Sequence, residues 1–89
     1  VTLLGPAQHV GVEDRGDVVY VAPLPDGPIR VLEGVAALIW QAACAGPSHT
    51  IAPRVLFDVA DPPAGAADMI ESLVADLRAA GLLVVAPDR

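Results

Sequence analysis

V-L-E-G-V-A-A-L-I-W, residues Val31 to Trp40, joins a short apolar strand to an alanine-rich helix with no loop between them. The strand half reaches back to Ile29, about four residues, and sits between a proline-rich turn and the helix start. The helix half is predicted to run from about Gly34 to Ala45. Val35, Leu38, Ile39 and Ala42 recur at i, i+3, i+4 and i+7, one helical stripe, with Trp40 on its flank. Gly46-Pro47 stops the helix, because glycine accepts a left-handed cap and proline cannot continue the turn.

Upstream, the signals are those of strands. Val1 to Pro6 reads as an arm broken by Gly5-Pro6, and His9-Val10-Gly11-Val12 as a first short strand. Glu13 to Asp17 is a polar turn in which Gly16 is free to take a positive φ. Val18 to Ala22 is β-branched and aromatic, a second strand that pairs with Ile29–Leu32. Pro25-Asp26-Gly27 makes the turn between them: proline presets φ, and glycine removes the penalty of a left-handed residue. The other edge of Ile29–Leu32 is expected to be open.

Downstream lie two more helices. Thr50 is a good N-cap for the first, with Pro53 tolerated in its opening turn. Val55, Leu56 and Val59 form its buried side, and Asp61-Pro62-Pro63 ends it. The second runs from about Ala66 to Ala80. Its residues Ala66, Met69, Ile70, Leu73, Val74, Leu77 and Ala80 cover an arc of about 140°. That is wider than one contact face needs. Gly81 caps this helix, and Leu82 to Val85 returns as a strand or an extended tail. The order is α+β: a three-stranded antiparallel sheet followed by a three-helix bundle, a winged-helix-like arrangement.

Eighty-nine residues suit a single domain with a core over about residues 9–85. Aromatics make up only 3% against 54% apolar residues, so the core is built from small side chains. Eleven acids against five arginines and no lysine leave a net charge of −6. Such a chain is repelled by phosphate backbones and anionic lipid, which argues against nucleic acid or membrane as partner. No apolar run reaches the roughly 18 residues of a membrane span, and no signal peptide is legible, so a cytoplasmic protein is expected. A chain opening on Val1 is expected to be processed, trimmed or excised.

Three phrases of this chain fit one known pattern. Leu32, Ala36, Ala37, Ile39 and Trp40 fall on L-N-x-x-A-A-x-I-W, with Glu33 where the asparagine stands. Gly46, Thr50 and Ile51 match G-x-T-V with extra residues between, while Pro53 and Arg54 depart from the usual pair that follows. Leu73, Val74, Leu77, Gly81, Leu82 and Leu83 match L-L-x-x-L-x-x-x-G-L-L of the phrase D-V-x-x-L-L-x-x-L-x-x-x-G-L-L, with Asp68 for its D one residue further upstream. From His9 to Leu83 the chain resembles the PqqD-like domains, or RiPP recognition elements, including the standalone versions of lasso-peptide pathways.

The resemblance implies a non-catalytic module with no cofactor. It would bind the leader region of a ribosomally made precursor peptide and present it to a modifying enzyme or leader peptidase. The leader is expected to add as an antiparallel strand on Ile29, Arg30, Val31 and Leu32, because an unpaired edge offers main-chain hydrogen bonds. The helix wall of the cleft is expected to be Met69, Leu73, Asp76, Leu77 and Ala80, with Val74 and Arg78 as the opposite margin. Asp68, Glu71 and Asp76 are placed to pair with a basic leader residue. Core packing is the plainer reading for Leu73 and Leu77; Met69, with its flexible thioether, suits a groove better. Two rivals stay open: a winged-helix DNA-binding regulator, and a dimerisation or interaction domain of a larger enzyme, with a homodimer as its simplest form.

The remaining chemistry-bearing residues form no site. His9 and His49 lack any metal-ligand spacing, and Glu13–Asp17 lacks the ligand pattern of a calcium loop. Cys44 falls near a helix C-terminus, where the dipole disfavours a thiolate, and a semi-buried thiol is expected. Trp40 is expected beneath the sheet and Tyr20 at its rim.

Overall fold

The computed structural model describes residues 3–59 and 61–86. Among these, the elements follow in the order β1 (Leu4–Pro6), β2 (Val10–Asp14), β3 (Val18–Pro23), β4 (Arg30–Glu33), α1 (Val35–Ala43), α2 (Ile51–Phe57), α3 (Ala66–Ala79) and β5 (Leu83–Val85). The fold is a small α+β one, with an antiparallel sheet ordered β2–β3–β4, a second two-stranded sheet β1–β5, and three helices. The second sheet is an addition to the expected plan. Of the anticipated arm, Val1 and Thr2 lie outside the described residues. Leu4 to Pro6 pairs with the returning Leu83–Val85, and the Ala86 N–H closes the pair on the Leu3 carbonyl at 2.7 Å.

The β2–β3 hairpin turns at Gly16, with φ +91°, and its N–H donates to Asp14 Oδ1 at 2.9 Å. Gly27 acts differently from expectation. Its φ is not positive; instead, a Cβ there would lie 2.6 Å from the Pro23 carbonyl oxygen and collide with the Pro23 ring. Gly27 is required by close approach, not by handedness.

The core gathers where the sheet meets the helices. Val19, Val21 and Leu32 point from one face of the sheet into a cluster with Ala37, Ile39 and Trp40. The buried face of α1 is Ala37, Ile39, Trp40 and Ala43, which corrects the expected stripe: Val35 is exposed, and Leu38 and Ala42 are only half-buried. Nearly every residue of α1 is apolar, so spacing alone fits more than one face. Tryptophan bulk decides it, because burying an aromatic removes roughly 150–250 Å² from water at about 25 cal/mol per Å².

A 3₁₀ turn, Ser48–Thr50, precedes α2. Thr50 flanks the helix but its side chain makes no capping bond. The turn curls back, so the Thr50 hydroxyl donates to the Pro47 carbonyl at 2.8 Å and accepts from Arg54 Nε at 2.9 Å. The helix also ends early, at Phe57, where the Asp58 and Val59 amides bond back to Val55 and Leu56. Its buried residues are Ile51, Ala52 and Val55; Leu56 and Val59 are half-buried.

The helix α3 buries Ile70 and Leu77 and half-buries Leu73 and Val74. Its C-terminus matches expectation. Gly81 takes φ +77° and donates to the Arg78 carbonyl at 3.0 Å, while Leu82 donates to the Leu77 carbonyl at 3.0 Å. Those two bonds are the paired 5→2 and 6→1 closure of a Schellman cap. The turn delivers buried Leu82 and Leu83 into the core and starts β5.

Candidate functional site

In the main sheet β4 is an edge. It pairs with β3 on one side, with Val18 opposite Glu33, Val19 opposite Leu32, Tyr20 opposite Val31 and Val21 opposite Arg30. No strand of the described residues pairs with it on the other side.

One bond tells which β4 residues face the vacant side. The Gly34 N–H donates to the Asp17 carbonyl at 3.4 Å, so the pair Asp17/Gly34, one step beyond the strand pairing, is hydrogen-bonded. In an antiparallel ladder, hydrogen-bonded and non-hydrogen-bonded pairs alternate. Hence Leu32 and Arg30 bond to Val19 and Val21, while Val31 and Glu33 turn their N–H and C=O groups outward. The hairpin on the far side agrees. Leu24 donates to His9 at 2.6 Å and Arg15 to Val18 at 2.8 Å, so Val18, Tyr20 and Ala22 face β2 and leave Val19 and Val21 to face β4.

Val35, two residues after the end of β4, lines an apolar groove of about 380 Å³ to which β4 itself contributes no residue. Val35 and Ile39 of α1 form one wall, and Met69, Ile70 and Leu73 of α3 form the other. Leu56, Val59, Pro62 and Pro63 close its far end. The Pro62-Pro63 corner, read in the sequence only as a helix stop, is part of the lining. Val35, Ile39 and Leu56, expected on inward faces of their helices, all line the groove, and Ile39 belongs to the core as well. Such a lining brings together segments far apart in the chain, and no local spacing signals it.

The residues anticipated for the site divide into groups. Ile29 precedes β4 and is exposed; Arg30 and Val31 are exposed on the edge; Leu32 lies in the edge strand but sends its side chain into the core. Met69, 67% exposed, and half-buried Leu73 line the groove. Leu77 is 1% exposed and belongs to the core. Asp76 and Ala80 are exposed on α3 and outside the groove lining. The opposite margin, Val74 and Arg78, faces a separate cleft with Leu4, His49 and Ile51.

Elsewhere, Phe57, the last residue of α2, is 90% exposed, and its ring adds nothing to the core. Cys44 is exposed at the C-terminus of α1, and partial desolvation of its thiol, followed by the charge of Asp14, raises its pKa. Among the described residues no cluster of three or more His, Cys, Asp or Glu is placed to hold a metal ion. No helix among them is long and apolar enough to cross a membrane.

The edge offers two outward-facing main-chain positions, and the chain runs from it through Gly34 into the helix that walls the apolar groove. That arrangement suits binding of an extended segment. Comparison with family models, with curated proteins and with solved structures finds no match for this chain.

Proposed function

We propose that this chain is a non-catalytic recognition module of the PqqD-like kind, with a winged-helix-like arrangement of its sheet and helices. It binds the leader region of a ribosomally made precursor peptide as a strand added to β4 and presents it to a modifying enzyme or leader peptidase. The observation that carries this reading is the vacant side of β4, where Val31 and Glu33 turn their main-chain groups outward, with the Val35–Met69 groove opening on the helix that follows. An incoming backbone would exchange up to four hydrogen bonds there, each contributing about 1 kcal/mol net. Apolar leader side chains would supply the rest by filling the groove.

The DNA-binding rival gains no support from α3. Asp68, Glu71 and Asp76 are all exposed on it, against Arg78 alone, and phosphate would be repelled.

The test is titration with leader peptides encoded beside the gene, together with a proline scan through the peptide. The expected result is loss of affinity at alternate peptide positions, because only every second N–H faces β4. Affinity that is insensitive to proline at every position, or a salt-sensitive shift of DNA in place of peptide binding, would overturn the proposal.

A further inference from the structure

The two ends of the open edge carry opposite charge. Arg30 opens β4 and Glu33 closes it, and both are exposed. Arg15–Glu13 is the one ion pair among the described residues, so neither end charge has a partner there. Asp17 lines the same shallow pocket as Glu33 and deepens the negative end. Strand side chains alternate between faces. Arg30 therefore shares the helix-side face with buried Leu32, and Glu33 shares the outer face with Val31 and Tyr20.

A second copy of this chain does not complement that pattern. Pairing two β4 edges antiparallel must join outward-facing residues, so Val31 meets Val31 or Glu33 of the other copy. Placing Arg30 opposite Glu33 would set outward-facing Val31 against inward-facing Leu32, a register the ladder forbids. The edge is also only 4 residues long, whereas stable interfaces engage about 20–30 residues a side.

Resting on the reading of β4 as a strand acceptor, we infer that its guest is a foreign antiparallel strand with a defined five-residue code. From N to C the code is apolar, basic, apolar, β-branched or aromatic, acidic. The first residue lies opposite Gly34 and the third opposite Leu32, both on the helix-side face. The second lies on the outer face against Glu33. The fourth lies against Val31, next to Tyr20, where a β-branched or aromatic side chain packs best. The fifth meets Arg30 on the helix-side face. The charges thereby fix both direction and register of a strand whose main-chain bonds alone would tolerate slippage.

Two labelled peptides of about twelve residues test this, one carrying Leu-Lys-Val-Val-Glu and the other the same run with Lys and Glu exchanged. Binding is measured at low and high salt, and the amide signals of Val31 and Glu33 are followed by NMR. The first peptide is expected to bind about tenfold tighter at low salt, about 1.4 kcal/mol, with the difference fading towards 1 M salt. Combining Arg30→Glu with Glu33→Lys should invert the preference, and both positions are exposed enough for the fold to survive. Equal affinities, or a preference that the double variant leaves unchanged, would overturn the code while amide shifts at Val31 and Glu33 left strand addition standing. No shift at those amides with either peptide would overturn both.

Discussion

Gln41 on α1 reaches the β2–β3 turn, where its Nε2 donates to the Gly16 carbonyl at 2.8 Å. The same nitrogen donates to Asp14 Oδ1 at 3.0 Å, so one side chain ties the hairpin tip to the helix that follows β4. The bridge adds to the covalent step Glu33-Gly34-Val35 and to the core packing of Val19, Val21 and Leu32 against α1.

Gln41→Leu removes both bonds from exposed groups. The expected loss is about 0.5–1.5 kcal/mol of unfolding free energy, read from urea melts. Faster hydrogen exchange at Gly16 and Asp17 should accompany it.

Proline substitution separates the two sides of β4. Val31→Pro deletes an N–H that faces the vacant side and leaves the β3 ladder intact, so the protein is expected to fold and lose peptide binding. Leu32→Pro deletes an N–H bonded to Val19 and is expected to unfold the sheet, at about 3 kcal/mol or more. Circular dichroism melts beside peptide titrations check both. Equal damage from the two variants would contradict the assigned alternation.

Met69 and Leu77 share a helix but serve different ends. Leu77→Ala, at 1% exposure, is expected to cost about 2–5 kcal/mol in thermal or urea unfolding. Met69→Ala, on the groove rim, should change stability by less than about 0.5 kcal/mol and weaken peptide binding several-fold. Its measurement is a melt paired with a titration.

Two glycines should fail for different reasons. Gly81→Ala places a Cβ at φ +77°, where nothing crowds it, and should cost about 1–2 kcal/mol by backbone strain alone. Gly27→Asn should bring no relief over Gly27→Ala, because contact with Pro23 rather than handedness is the obstacle. Gly81→Asn, by contrast, should recover part of the loss, since asparagine tolerates the left-handed region. Urea melts of the four variants separate the cases.

Legibility in the sequence followed the range of the forces involved. Helix α3 and its Gly81 cap, the Gly16 turn and the three main strands rest on local propensity and turn chemistry, and their residues announce them. The face of α1 did not, because Val35 to Ala43 is apolar almost all round and only the competition for space settled Trp40 inside and Val35 outside. The β1–β5 pair joins opposite ends of the chain, and Leu4-Gly5-Pro6 carries too little pattern to name a partner. At the site, the edge residues Arg30 and Val31 and the rim residue Met69 were legible. The groove's far end was not, since Leu56, Val59 and Pro62-Pro63 meet α3 only after the helices have packed. Leu77 illustrates the other side: core packing is its plainer reading and it is buried, but an arc of about 140° contains both core and groove residues, and spacing cannot divide them.

The most direct test is amide hydrogen exchange at three neighbouring residues, Val31, Leu32 and Glu33, with and without a bound leader peptide. Leu32, already bonded within the sheet, should be protected in both states, while Val31 and Glu33 should exchange freely alone and become protected on binding. Protection of Val31 and Glu33 in the free protein, or peptide binding that leaves both exchanging freely, would contradict the account.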